Sequence, residues 1–450
     1  MNRRFFLKTL SCVTASLLLP SKAMAAPVDF SKIEFDAARY TQNGAQTIMI
    51  FLYGGPSELA GNLSNIEEIK LASQSSYDSY FRGITPTQNG FWQEAGGAAM
   101  EELLASHDMN IFRTCYSKLR DDEGNRSHGQ CVSQNQRGVN NFDDTDGVFS
   151  VIANTLYQNG VIDENSRLPF ISMEGDSTFF NASDFSIESF LRPTSFSYDL
   201  DNPYNRRNAD SWSYYTSEER DIADYSDNRP ALDIAMDSIA QLTNREGKIK
   251  ENFDKRVELD AFVNEINSAS FPAGIEYPNN SFAQKLGNAV KIMANNSDTK
   301  IISLGSGGLG GWDDHSEARD YTTRMEGLFE AIKVAMSHIK AESKEGNINI
   351  MVWGDFGRNV NLNSSLGWDH GNLQNFYLFG GKNYFNHVGV VGETQLPEVG
   401  NLNRLYLKPA SNSDWFEPYS IAATLYSIYG ITNPQYLTGG FDPIESGLLR

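Results

Sequence analysis

Cysteine is nearly absent, with three in 450 residues. Cys12 lies in an N-terminal leader, so only Cys115 and Cys131 remain, too few for a cysteine-based metal site. An oxidising compartment would allow them a disulfide if their Cα atoms came close enough. Basic residues are also in deficit, 37 Lys and Arg against 57 Asp and Glu, giving a formal net charge of −20. That balance argues against nucleic acid or an anionic membrane surface as the main partner. No apolar run beyond the leader is long enough to span a membrane, and there is no internal repeat or low-complexity linker. Histidine is rare as well, six in the whole chain.

The leader itself reads Asn2-Arg3-Arg4-Phe5-Phe6-Leu7-Lys8, then an apolar stretch through Leu19 and a small-residue exit at Ala23-Met24-Ala25-Ala26. This pattern predicts a twin-arginine signal peptide over residues 1–26, handled by the twin-arginine translocase, and a periplasmic or otherwise exported bacterial protein. No stop-transfer pattern follows, which disfavours an uncleaved anchor. Residues 27–450 then form the mature protein, by size one large domain with insertions or two domains. A metal loaded before crossing is one reason to export a folded chain; fast folding or a partner are others.

Four apolar, β-branched runs stand out: 47–53 (TIMIFLY), 110–115 (NIFRTC), 300–304 (KIISL) and 347–353 (NINIMVW). Each reads as a buried strand, with further strands at 169–173, 376–379 and 388–391. Helical patterns lie between them, at 231–268, 280–294, 321–340 and 419–429. Strands alternating with helices predict an α/β fold, a mostly parallel sheet covered on both faces. Residues 175–229, dense in Ser, Asp, Asn, Tyr and Phe and lacking periodicity, read as an inserted cap. Such a mixture suits a glycan or another polar ligand, and equally a solvated set of loops.

Ligands of open parallel sheets bind at the carboxyl ends of the strands, and three of the six histidines follow strands: His128, His315 and His370. The first run ends in Gly54-Gly55-Pro56-Ser57-Glu58 and the second leads to Asn125-Arg126-Ser127-His128. The third passes through a glycine-rich loop to Trp312-Asp313-Asp314-His315. The fourth ends in Gly354-Asp355-Phe356-Gly357-Arg358, with Trp368-Asp369-His370-Gly371 shortly after. Histidine with carboxylate and no cysteine suits zinc, manganese, magnesium or calcium. Asp313 and His315, two apart in one loop, can turn to one ion, with Asp355 and His370 closing it. Asp369 and Glu58 complete the set of candidate metal ligands. Each residue alone has an ordinary alternative in turn chemistry or a structural histidine. His107, His338 and His387 lack such context and read as surface or helix residues.

The order Gly-Gly-Pro-Ser, Ser-His, Gly-Trp-Asp-Asp-His, Asp-Phe-Gly-Arg and Asp-His resembles domain of unknown function 1501, a bacterial family related to the sulfatase and alkaline phosphatase superfamily. The resemblance runs over residues 47–429 apart from 175–229, and its most specific pieces are residues 311–315 and 355–358. It implies an alkaline-phosphatase-like fold with one or two divalent metal ions and hydrolysis of a small anionic ester of phosphate or sulfate. Ser127 matches the position of the nucleophile at a helix N-terminus, and is alternatively only a helix cap. His128 or Arg358 would steady the oxyanion, and Arg126, Arg137 and Arg358 would supply positive charge to an acidic protein. Two departures stand out. Where the family often continues His-x-Asp, this chain has Glu58-Leu59-Ala60, leaving Glu58 or Ser57 to take the ligand's role or the position weakened. Phe356 occupies a place where these hydrolases usually ligate through His. A non-catalytic descendant binding a glycan or an envelope partner is the competing reading, and a sugar-phosphate isomerase or mutase a further one.

Overall fold

A computed structural model describes residues 28–72, 77–124, 126–141, 145–182, 191–195, 261–397 and 404–450, with single positions at 238, 241 and 258. The leader and most of the 175–229 insertion lie outside the described residues, as does most of the 231–268 helical stretch. Eight strands form one sheet in the order β4-β3-β5-β1-β6-β7-β2-β8. They are β1 (Gln46–Leu52), β2 (Met109–Tyr116), β3 (Phe170–Ser172), β4 (Thr194–Ser195), β5 (Ile301–Ser303), β6 (Ile348–Gly354), β7 (Leu373–Gly380) and β8 (Val390–Val391). All pairings are parallel except those of β7, which runs against both β6 and β2. The fold is α/β with a mostly parallel central sheet.

Side-chain alternation explains why the strands read as unbroken apolar runs. Ile48, Ile50 and Leu52 of β1 and Ile348, Ile350 and Val352 of β6 enter one core. Met49, Phe51, Met351 and Trp353 enter the other, across the sheet. Helices α2 (Gly97–Ala105), α5 (Ser281–Asn295) and α6 (Tyr321–Ala341) cover the first face. Helices α1 (Ala37–Asn43), α4 (Val148–Gln158) and α7 (Tyr419–Ile428) cover the second. Among the described residues no helix is long and apolar enough to cross a membrane. Cys115 and Cys131 are both buried and both free.

Helix α3 (His128–Arg137) is tied to the end of β6 rather than simply packed on it. Asn135 Nδ2 donates to the carbonyls of Gly354 and Asp355, each at 2.9 Å. The fully buried Arg120 donates to the Asp355 carbonyl at 3.1 Å, and also to Gln134 and Asn135 of α3. These bonds fix the last turns of α3 beside the end of β6. The direction of β7 matters equally. Because it is antiparallel, its beginning lies at the carboxyl edge of its neighbours, and so residues 368–371 reach that edge.

His338 of α6 is buried, with its Nδ1 3.0 Å from the Tyr277 hydroxyl. Burial, aided by Lys291, pushes its pKa down to about 4. The imidazole is therefore neutral in the fold, while an unfolded chain takes up a proton below about 6.5. Stability is complete above that pH and is lost as pH falls toward 4, by up to about 3 kcal/mol for this group. A His338→Phe variant is expected to flatten the stability profile between pH 6.5 and 4, measured by urea unfolding across that range.

Candidate metal centre

Four side chains converge at the carboxyl edge: His128, Asp313, His315 and His370, with one donor atom from each lying within 4.8 Å of the others. Asp313 Oδ1 is 3.2 Å from His128 Nε2, 3.3 Å from His315 Nε2 and 3.8 Å from His370 Nε2. The Nε2 atoms of His315 and His370 are 2.7 Å apart. Tetrahedral zinc bound at about 2.1 Å separates its donors by roughly 3.4 Å, so these spacings fit a transition-metal ion.

Every imidazole presents Nε2 because an oxygen stands behind its Nδ1. His128 Nδ1 meets Asp355 Oδ2 at 2.8 Å. His370 Nδ1 meets the Arg126 carbonyl at 2.6 Å, an acceptor that requires the proton on Nδ1 and leaves Nε2 with a free lone pair. His315 Nδ1 faces Asp369 Oδ1 at 3.5 Å. Such oxygen partners behind histidine rings are the usual outer shell of metal-binding imidazoles. Buried His128 Nε2 has no hydrogen-bonding partner among the described residues, an orphan that an ion would satisfy.

The protonation pattern follows from the surroundings. Burial lowers the pKa of His370 to about 4, with Arg358 and the other two imidazoles adding to the effect. His128 is raised, chiefly by its bond to Asp355. Burial pushes the Asp313 carboxyl up, but the Arg358 bond and charge outweigh this and hold it below its ordinary value.

Of the residues expected from sequence, the structure brings Asp313, His315 and His370 together and adds His128, which had been given an oxyanion role. Asp355 stands behind His128 and also accepts from Gly54 N at 3.1 Å. Asp369 stands behind His315 and pairs with Arg404 at 2.8 Å. Glu58 is outside the group: it lies buried in a short 3-10 turn, where it accepts from Arg358 N at 3.0 Å. Burial raises its pKa to about 8, so it keeps its proton at neutral pH and offers no anion to a metal. Ser57 and Ala60 are buried in the same region. Arg358 is interior as well, and its donors are taken up by protein acceptors, among them Asp313 Oδ1 at 2.6 Å.

Phe356 packs on two of the converging rings, with centroids 4.7 Å from His128 and 4.5 Å from His370, giving them apolar support. Ser127 is exposed at the N-cap of α3, in extended conformation, and its side chain does not cap the helix. Arg137 points away, its Nε donating to the Thr145 carbonyl. Sequence reasoning missed Arg404 and Lys408, which reach the rim from far along the chain to pair with Asp369 and Asp121. Arg126 joins them, bonded to Asp121 at 3.0 Å and lying over the Tyr406 ring. Gly54 is required locally: φ is +110°, and a Cβ would fall 2.6 Å from Asp313 N.

Replacing Asp355 by Ala strips His128 Nδ1 of its acceptor while leaving all four converging donors. Zinc affinity, read by competition with a chromophoric chelator, is expected to fall about 10- to 100-fold, whereas a surface His107→Ala change is expected to leave it unaltered.

No protein-family model and no curated sequence matches the chain. Among solved structures, it is similar to Ps i-CgsB in complex with k-i-k-neocarrahexaose, at 9% identity and a TM-score of 0.37, over 89% of this chain and 74% of that one. A likeness that distant assigns neither activity nor ligand.

Proposed function

We propose that the protein is an exported, metal-dependent hydrolase of phosphate or sulfate esters, a single-ion relative of the sulfatase and alkaline phosphatase superfamily reached through the 1501 family. The observation that carries this reading is the convergence of three oriented Nε2 atoms on one carboxylate. Three nitrogens and one oxygen favour zinc, or a neighbouring first-row transition ion such as manganese, over magnesium and calcium, which prefer oxygen ligands.

Charge supports an anionic substrate. Around the imidazoles, Arg126, Arg358, Arg404 and Lys408 are matched by Asp121, Asp313, Asp355 and Asp369, so the side-chain charges cancel. A divalent ion then leaves the centre positive in a chain of net charge −20. Such an ion, when bound, polarises the ester oxygens and offsets their developing charge. Ser127, directly before His128, acts as the nucleophile: its oxygen attacks phosphorus or sulfur, the alcohol departs, and water then releases the inorganic anion. The N-terminus of α3 and the outward guanidiniums of Arg126 and Arg404 hold the anion, a role that the interior Arg358 does not fill.

A non-catalytic glycan- or partner-binding protein is the alternative that Ala60 favours. The donor group assembled without that position weakens it. Export by the twin-arginine route, folded and metal-loaded, belongs to the same proposal.

Elemental mass spectrometry of the mature protein should find about one transition-metal ion per chain, lost in an Asp313→Ala, His315→Ala double variant. Ser127→Ala should keep the ion and lose at least about a hundredfold in kcat on aryl phosphate or sulfate, about 3 kcal/mol of barrier. A chain that holds no ion and gains no thermal stability from zinc or manganese would sink the hydrolase.

A further inference from the structure

A second polar cluster lies at the same sheet edge, across the end of β1 from the metal centre. Tyr53 follows β1, Glu174 and Ser177 follow β3, Ser303 ends β5, and Gln136 stands in the last turn of α3. Gln136 Nε2 donates to the Tyr53 hydroxyl at 2.9 Å. Ser303 Oγ donates to Glu174 Oε1. Burial raises both the Tyr53 hydroxyl and the Glu174 carboxyl, and each lies close enough to the other and to Ser177 to be affected by them. None of these residues belongs to the converging metal donors.

The cluster is built rather than incidental. Gln136 and Ser303 are fully buried and Ser177 nearly so. Gly305, in the left-handed region at φ +56°, makes the space for the carboxylate, since a Cβ there would sit 2.7 Å from Glu174 Oε2. Yet three buried oxygens, Glu174 Oε2, Gln136 Oε1 and Ser177 Oγ, have no hydrogen-bonding partner among the described residues. Each such group is costly to bury unless something pairs with it. Tyr53, 37% exposed, gives the cluster its opening to solvent.

The chemistry of the orphans selects the ligand. All are oxygens able to accept, so the occupant brings donors. A hard cation is disfavoured, because calcium or magnesium needs several anionic or carbonyl oxygens and only one carboxylate is present, with the Lys285 ammonium acting on it. Sugar hydroxyls meet the requirement: they donate to Glu174 and Gln136, exchange bonds with Ser177, and lie against the Tyr53 ring. His128 and Gln136 sit eight residues apart on α3, about 12 Å along its axis. A substrate with its ester group at the metal centre and a sugar unit about 12 Å from it spans both places.

We infer that Tyr53, Gln136, Glu174 and Ser177 form a hydroxyl-binding subsite that holds the sugar portion of the substrate while its ester group lies at the metal centre. The subsite depends on the hydrolase reading only for the fate of that ester group.

Saturation-transfer NMR with the zinc-loaded full chain and a panel of neutral disaccharides (lactose, cellobiose and N,N′-diacetylchitobiose) tests it directly. The expected result is millimolar binding of at least one, weakened about tenfold or more by Glu174→Gln and by Tyr53→Phe while zinc content stays unchanged. Binding should persist in the Asp313→Ala, His315→Ala protein, which lacks the ion. No binding by any panel member, or equal binding by both subsite variants, overturns the subsite and leaves the hydrolase standing. Sugar binding without ester turnover sinks the hydrolase and leaves the subsite.

Discussion

The buried guanidinium of Arg358 is the point at which the loops of the carboxyl edge meet. It donates to the carbonyls of Gly54 and Gly55 after β1, Trp312 after β5 and Trp368 before β7, and to the Asp313 carboxylate. Its own backbone continues from β6. Taking a cation out of water costs several kcal/mol, recovered only when its N–H groups are met by well-placed acceptors and a counter-charge. Those acceptors are the loops themselves, so their geometry and the solvation of Arg358 are one requirement. A lysine would offer a point charge in place of the planar fork and could not span carbonyls from several segments.

The counter-charge falls to Asp313. Glu58 is also adjacent to Arg358, but its burial makes ionisation costly and it keeps its proton. Arg358 instead holds Asp313 ionised and fixes Oδ1. From there the order spreads outward. The anchored Oδ1 faces three Nε2 atoms, and the oxygens behind the rings decide which ring nitrogen is exposed. Asp355 has the widest reach of these: one carboxylate oxygen takes both His128 Nδ1 and Gly54 N, coupling α3 to the loop after β1.

Much of this was legible in the sequence. The runs at 47–53, 110–115, 300–304 and 347–353 carry strands because both faces of the sheet are covered, so apolar side chains on either face are buried. Helices expected at 280–294, 321–340 and 419–429 appear as Ser281–Asn295, Tyr321–Ala341 and Tyr419–Ile428. Histidines that follow strands were visible as a pattern. Strand direction was not, since period-2 alternation is the same for either sense, and so the antiparallel β7 was unread. Nor could position after a strand separate a residue that faces the centre from one that orients it. His128 and Asp355 both follow strands, and only the tilt of α3, set by Asn135 and Arg120, puts the imidazole in front and the carboxylate behind. Arg404 and Lys408 carried no signal, because they arrive through tertiary structure from a segment without strand or helix pattern. Gln136 carried no signal either, since its buried, half-satisfied amide is a property of what packs on it.

The side chains at positions 60 and 356 have a common physical consequence. Ala60 cannot ligate, and Phe356 presents a ring that supports His128 and His370. Neither side chain offers a ligand, and the Phe356 ring stiffens two of the four converging residues. On the proposed single-ion reading, the remaining positive charge must come from elsewhere. Arg126, Arg404 and Lys408 stand at the rim, each paired with a carboxylate. An arginine rim recognises the planar oxygens of a phosphate or sulfate through paired donors but does not polarise them as strongly as a metal does. Rate in such a site then depends more on how well the rest of the substrate is positioned, because orientation has to supply what the second ion does not. A polar subsite one strand away along the same edge is what that requirement calls for.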